Sequence, residues 1–166
     1  MKLIVAVCKS FGIGMKNDIP WKLKKDLQYF KALTTGQGDN AVIMGRKTWE
    51  SLPEKFKPLP KRKNIILSRK NYRSENPNIK TCSSLEEAKI YCKDYNDIWI
   101  IGGEQIYIQA LEDEDLTHIH ITEVKKEYEC DTFFPHLAIN KWKLEKSSDL
   151  EFENKIPYYF KVYKKI

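Results

Sequence analysis

An aspartate among apolar side chains is the residue of this chain best suited to chemistry. Leu23, Leu27, Phe30 and Leu33 recur at helical spacing and define one face that should be buried. Asp26 falls on that face, three residues after Leu23 and four before Phe30. A carboxylate there must be paired, hydrogen-bonded or protonated, because an isolated buried charge is very costly. A ligand with cationic or amide-like donors would meet that need. The helix alone leaves a second reading open: an Asp at the edge of the stripe, reaching solvent or pairing with Lys22 or Lys25.

Three further sites carry groups suited to phosphate. Gly45-Arg46-Lys47-Thr48 follows an apolar run and opens a helical one, so backbone N–H groups and the helix dipole could hold an anion, with Arg46 and Lys47 adding charge. Ser68-Arg69 follows the next run and offers a hydroxyl and a guanidinium. Gly102-Gly103 follows another, where missing Cβ atoms let a ligand approach the backbone. Singly, each has an ordinary explanation as a turn glycine or a solvated charge. Gly12-x-Gly14 is no dinucleotide fingerprint, since the third glycine and the helix placement are missing. Three such sites in succession, with Asp26 at the first crossover, point to a phosphate-bearing cofactor beside a polar heterocycle.

These residues need a scaffold, and the pattern supplies one. Residues 2–8, 40–45, 63–68 and 97–101 are apolar runs of strand length, of the kind covered on both faces, and 78–82 and 116–124 read as two more strands. Residues 11–21, punctuated by glycines and a proline, form a loop. Helices are expected for the Asp26 segment, for 46–52 halted by Pro53, for 85–95 and for 105–111. Ser84, followed three residues later by Glu87, has N-cap chemistry for the third of these. Residues 141–146 and 158–164 flank a polar loop and read as a β-hairpin. The sum is an α/β fold in a single domain over 1–166: a mostly parallel central sheet, a C-terminal antiparallel strand and flanking helices. In such sheets ligands bind outside the carboxyl ends of the strands, where the phosphate-suited residues lie.

Bulk composition fits this reading. The chain has 166 residues, 42% hydrophobic and 31% charged, enough for a core and a cleft without disulfides or metals. No apolar run is long enough to span a bilayer, and the apolar start is too short for a signal peptide, so a cytoplasmic location is expected. Cys8, Cys82, Cys92 and Cys130 are irregularly spaced, without a Cys-x-x-Cys pair, and should be reduced, with Cys8 in the core. His118 and His120 share one face of a strand, but no further ligands stand at metal-binding spacing, so no metal is expected. A net charge of +6, from 29 basic and 23 acidic residues, suits polyanions of several kinds.

The ordered motifs are recognisable. Ile4-Val-Ala-Val7, Gly12-Ile-Gly14, Asp18-Ile-Pro-Trp21, Asp26, Phe30, Val42-Ile-Met-Gly-Arg-Lys-Thr-Trp49, Pro58-Leu59 with Arg62, Asn64-Ile-Ile-Leu-Ser-Arg69, Ile100-Ile-Gly-Gly103 with Tyr107, Thr122 and Asp131-Thr-Phe-Phe-Pro135 together resemble dihydrofolate reductase along nearly the whole chain. The resemblance implies an oxidoreductase of one-carbon metabolism, a target of antifolate inhibitors, that reduces 7,8-dihydrofolate to tetrahydrofolate with NADPH. Hydride would pass from the nicotinamide C4 to the pterin C6, and a proton would reach N5.

By the same resemblance, Asp26 would bind the pterin's 2-amino and N3 side, Thr122 would support Asp26, and Trp21 would help hold the water that delivers the proton. Phe30, Leu52 and Leu59 would line the substrate cleft, with the backbones of Val5 and Ile101 near the pterin edge. Arg62 would pair with the α-carboxylate of the glutamate tail, in a bidentate geometry that lysine cannot reproduce. Ala6, Ile13, Gly14, Gly45, Lys47, Thr48, Ile101, Gly102, Gly103, Gln105, Ile106 and Tyr107 match cofactor-contacting positions, and Arg46, Ser68 and Arg69 match those that favour the 2′-phosphate. The family joins its two glycines by a cis peptide, and residues 14–21 correspond to a loop that closes over the nicotinamide.

The chain departs from the pattern at Lys61, where many relatives have glycine, at Ile19, which is Met or Leu in many members, and in residues 53–57, which resemble the longer eukaryotic forms. Asp26 itself, rather than glutamate, is the choice common in bacteria and protozoa. A nucleic-acid module would need aromatic platforms interleaved with basic residues, and the aromatics fall elsewhere. A related pteridine or flavin-precursor reductase would not need Arg62 with Pro58-Leu59, and a catalytically dead homologue would not need Asp26 and Thr122. A monomer is expected, with no nucleic-acid or membrane partner.

Overall fold

The computed structural model describes residues 1–72 and 74–166. The chain runs β1 (Lys2–Val7), β2 (Gly12–Gly14), α1 (Lys24–Thr35), β3 (Ala41–Gly45), α2 (Arg46–Ser51), a 3-10 turn (Glu54–Phe56), β4 (Lys63–Leu67), β5 (Ile79–Cys82) and α3 (Leu85–Tyr91). It continues through β6 (Ile98–Gly102), α4 (Glu104–Leu111), β7 (His118–Val124), β8 (Thr132–Phe133), β9 (Trp142–Ser147), β10 (Glu151–Glu153) and β11 (Ile156–Lys165).

Nine strands form one sheet in the order β10-β11-β7-β1-β6-β3-β4-β5, with β9 also paired to β11. Every pairing from β7 to β5 is parallel, and β11 joins β7 antiparallel. Apolar side chains on both faces explain why the parallel strands read as unbroken apolar runs. Leu3, Val5, Ile43, Ile65 and Ile100 pack on one side with Leu85 and Ala88 of α3 and with Ile106 and Ala110 of α4. Ile4, Val42, Met44, Ile66, Trp99 and Ile101 pack on the other, against Trp49 of α2 and Phe30 and Leu33 of α1. Each such burial contributes roughly 1.5–3 kcal/mol. A one-residue slip would exchange the two faces, so the register is strongly fixed.

The topology opens a crevice where it is needed. The chain leaves β1 through α1 toward β3, whereas β6 passes through α4 to β7 on the far side of β1. The two crossovers diverge between β1 and β6. There β1 pairs with β7 from Lys2 to Val7 but with β6 only at Lys2 and Leu3. The carboxyl ends of β1 and β6 therefore part, which is the arrangement that receives ligands in open α/β sheets.

Several expectations need correction. Leu27 is 63% exposed, so the apolar stripe of α1 is narrower than its spacing implies; Leu23 is buried, and Phe30 and Leu33 are half-buried. Helix α3 stops at Tyr91 rather than at residue 95, because Asn96 binds the 38–39 turn through its backbone and side chain and draws the chain out of the helix. The C-terminal hairpin contains an added strand, β10, so that β9 and β10 share β11 along its length. The β2–β8 pair has strands of three and two residues, too short for periodicity to reveal.

Candidate active site

Asp26 lies in the first turn of α1, facing β7. The Thr122 hydroxyl donates to Asp26 Oδ1 at 2.6 Å, and Thr122 is itself buried opposite Ala6 of β1. No ion pair among the described residues includes Asp26, so pairing with Lys22 or Lys25 does not occur. Burial raises the Asp26 carboxyl from 3.8 to about 6, with the Thr122 hydrogen bond opposing the rise and the charge of Glu153 adding to it. The result is a half-buried carboxyl beside β7 with its pKa shifted toward neutrality, an environment suited to acid–base work.

Farther along α1 the same side carries Phe30 and then Thr34. Phe30, Leu52, Leu59 and Ile101 belong to one apolar cluster with Trp49. Thr34 Oγ1 donates to the Phe30 carbonyl at 2.7 Å and accepts from Arg62 Nη1 at 3.0 Å, while Arg62 Nε donates to the Pro60 carbonyl at 2.8 Å. Arg62 is 4% exposed, its pKa is lowered by burial, and no carboxylate among the described residues pairs with it. A buried guanidinium held by neutral acceptors is a receptor for an anion. Lys61 adopts φ 62°, the left-handed region that glycine favours, and so keeps the turn that directs Arg62 inward.

The cofactor candidates fall into a convergent group and a peripheral one. Gly102 and Gly103 are joined by a cis peptide, and Gly102 has φ 128°. A Cβ on Gly102 would lie 3.3 Å from the Tyr107 hydroxyl and 3.4 Å from Thr48 Oγ1; one on Gly103 would lie 3.2 Å from the same Thr48 oxygen. A Cβ on Gly45 would press on Ile106 at 3.2 Å. Gly45, Thr48, Gly102, Gly103, Ile106 and Tyr107 therefore surround one point at the ends of β3 and β6, where α2 and α4 both begin without a side-chain cap. The Tyr107 hydroxyl donates to the Ile4 carbonyl at 2.8 Å and ties α4 to β1.

Ser68 and Arg69 line a groove of about 910 Å³ with Tyr72, Lys80 and Thr81. Arg46 lies on the exposed face of α2, bonded to Glu50, whose Oε1 also accepts from the Tyr72 hydroxyl. Lys47 and Gln105 are exposed, with no hydrogen bond from their side chains among the described residues.

The loop after β2 is a compact turn. Met15 and Asp18 exchange two backbone hydrogen bonds, and Lys16 and Asn17 between them both have positive φ, as a two-residue type I′ turn requires. Asp131 accepts from the Lys16 N–H at 3.0 Å and anchors the tip. Ile13 and Ala6 pack at the edges of the core. Trp21 is buried with Leu23, Val124 and Tyr158 and tilts against Tyr128, fixing the loop's return to α1. All four cysteines are free. His120 packs against Trp99, and His118 lies 3.6 Å from Glu145, so the two are ordinary side chains of β7.

Several residues that hold the site in shape were not found from sequence. Asn64, fully buried, accepts from the Leu59 N–H and donates to the Leu59 and Arg62 carbonyls, which clamps the turn carrying Arg62. Asn40 donates to the Thr34 and Thr35 carbonyls and accepts from the Asp97 N–H, closing the end of α1. Glu153 reaches the other end of that helix. An asparagine at the start of an apolar run reads equally well as the end of a turn, so the only available signal was polarity at a position that proves buried.

Comparison with known proteins agrees with this architecture. The family profile described as dihydrofolate reductase matches residues 1–165. The chain is 38% identical over 180 residues to the dihydrofolate reductase of Aedes albopictus, covering 99% of this chain and 96% of that one. It is 42% identical over 160 residues to the dihydrofolate reductase of Candida albicans, covering 90% and 82%. The bifunctional dihydrofolate reductase-thymidylate synthase of Daucus carota is 38% identical over 99% of this chain, which spans 34% of that longer protein. Profile, full-length identity and fold agree, and the chain belongs to the dihydrofolate reductase family of oxidoreductases.

Proposed function

We propose that this chain, as a single domain over residues 1–166, reduces 7,8-dihydrofolate to tetrahydrofolate with NADPH. The observation that carries the reading is the layout of α1. Asp26, Phe30 and the Thr34 that holds Arg62 stand at successive intervals of four residues, so a carboxyl, an aromatic ring and a buried cation are spread over about 12 Å of helix axis. A pterin, an aminobenzoyl ring and a glutamate carboxylate follow in that order along the substrate.

NADPH supplies the hydride that reaches the pterin C6 from the nicotinamide C4. The residues present fit it: Gly45, Gly102 and Gly103 leave a cradle that a Cβ at any of them would crowd. Thr48, Ile106 and Tyr107 wall that cradle, Ala6, Ile13 and Gly14 border it from β1 and the loop, and Ile101 backs it. Lys47 and Gln105 extend the contact surface, and Arg46, Ser68 and Arg69 favour the 2′-phosphate, Arg46 by exchanging its exposed pair with Glu50 for a doubly charged anion.

Asp26 accepts hydrogen bonds from the pterin's 2-amino group and N3 side, and Thr122 holds it in place. A carboxyl poised near 6 favours protonation of the ring system at N5, which the reaction consumes. Trp21 and the loop ahead of it keep the water that delivers this proton ordered and exclude bulk solvent. Phe30, Leu52 and Leu59 hold the aminobenzoyl ring, and the backbones of Val5 and Ile101 border the pterin. The enzyme is read as a cytoplasmic monomer open to antifolates; no helix among the described residues is long and apolar enough to cross a membrane.

The test follows NADPH absorbance with dihydrofolate and with a dihydropteroate lacking the glutamate. Wild type should turn over both, with a KM about tenfold or more higher for the truncated substrate, the size of one charge-assisted contact. Arg62→Leu should raise KM for dihydrofolate alone. No consumption of NADPH with either substrate sinks the proposal.

A further inference from the structure

Helix α1 must place Asp26 within its first turn, where a helix is least secure. The first N–H groups of an α-helix have no partner inside it, and Leu23, which precedes α1, offers no side-chain acceptor. In α3 the need is met locally, since the Ser84 hydroxyl accepts from the Glu87 N–H at 3.1 Å. In α1 it is met from the far end of the chain. The Lys24 N–H donates to Glu153 Oε2 at 2.7 Å and the Lys25 N–H to Glu153 Oε1 at 3.0 Å. One carboxylate from β10 thus closes on the two residues immediately before Asp26, at the positive end of the helix dipole.

We propose that Glu153 is a positioning residue for Asp26: its carboxylate fixes the first turn of α1, aims Asp26 at Thr122 and keeps a negative charge beside it. The catalytic consequence rests on the reductase reading; the structural one does not. The C-terminal hairpin thereby becomes part of the site, because β10 is held by β11, which pairs with the β7 strand that carries Thr122. One sheet edge supplies both the donor and the distant cap that meet at Asp26.

The groups facing Asp26 divide clearly. Thr122 of β7 donates a hydrogen bond. Tyr29 of α1, Tyr107 of α4 and Tyr158 of β11 are phenols whose pKa burial raises, so they are neutral wherever Asp26 titrates. Lys24 and Lys25 act on Glu153, whose carboxyl lies below its ordinary value because the two N–H groups stabilise its anion. Glu153 is therefore charged throughout that range, and its charge opposes ionisation of Asp26.

Three variants separate cap from charge. Glu153→Gln keeps an acceptor and loses the charge, Glu153→Asp keeps the charge on a shorter arm, and Glu153→Ala removes both. The first readout is the Asp26 carboxyl titration in the ligand-free protein, followed by carbon-13 NMR, which needs no assumption about activity. The midpoint should fall in Glu153→Gln and Glu153→Ala and stay near the wild-type value in Glu153→Asp. The second is turnover against pH: KM for dihydrofolate should rise about fivefold in Glu153→Ala, the size of one lost helix cap, and recover partly in Glu153→Gln. An unchanged Asp26 midpoint in Glu153→Gln and Glu153→Ala overturns the inference. So does a loss of thermal stability unaccompanied by any change in midpoint or KM, which would make Glu153 a tether only. If wild type fails to reduce dihydrofolate while the midpoint moves as stated, the reductase reading falls and the positioning role stands.

Discussion

Burial raises the Asp26 carboxyl to about 6 against an ordinary 3.8, while the Thr122 hydroxyl pulls it the other way. A folded-state value above the unfolded one means that the native protein binds this proton more tightly. The resulting stability is fully present below pH 3.8 and is lost as pH rises through 6. The ionised carboxylate thus works against the fold at neutral pH, as active-site groups often do. Asp26→Asn should be more stable than wild type at pH 8, by up to about 3 kcal/mol, with the difference vanishing near pH 4; urea unfolding at both values checks it. Thr122→Val should move the carboxyl higher still, since its one hydrogen-bond donor among the described residues is removed. Asp26 was legible in the sequence because it breaks an apolar stripe. Its surroundings were not: Glu153 is one acidic residue in a polar hairpin, and nothing local marks it as the cap of a helix more than a hundred residues earlier. Resemblance supplied Arg62, but its support by Thr34 and Asn64 emerges only from packing.

At the scale of elements, the site depends on where strands end. The β3–β6 ladder shifts register between Ile43 and Met44, so Met44 lies opposite Gly102. That displacement brings the glycine pair against Thr48 and Tyr107. Gly102→Ala should destabilise the protein by about 1–3 kcal/mol, because φ 128° is a conformation side chains rarely adopt. It should also weaken NADPH binding, read by fluorescence titration, since the added methyl enters the cradle. Normal cofactor affinity in this variant would remove the glycine pair from the binding site. The strands carrying these ends were readable because burial on both faces makes them continuous apolar runs. Helix boundaries were less so: α3 ends where a tertiary contact at Asn96 takes the chain, and the exposure of Leu27 follows from where α1 sits over the sheet, which periodicity does not specify. The β2–β8 pair had too few residues to announce itself.

For the molecule as a whole, the parting of β1 from β6 is the feature that joins fold to chemistry. Element order alone implied a crevice at strand ends, but not which pair of strands opens; that depends on the strand order, which the sequence pattern leaves undetermined. A net charge of +6 should draw polyanionic ligands to this crevice. Raising salt from about 0.05 to 0.5 M should therefore lower kcat/KM for NADPH, with little effect on kcat, as screening shortens the reach of that field. Constant kcat/KM across that range would show that net charge plays no part in capture. Control of substrate protonation by the half-buried Asp26 carboxyl is read by single-turnover oxidation of NADPH with dihydrofolate between about pH 5 and 9, in wild type and in Asp26→Asn. The wild-type rate should fall as pH rises through an inflection set by Asp26. Asp26→Asn should lose that inflection, slow severely and recover only toward acid pH. The same inflection and the same rate in both proteins would show that Asp26 does not govern the proton.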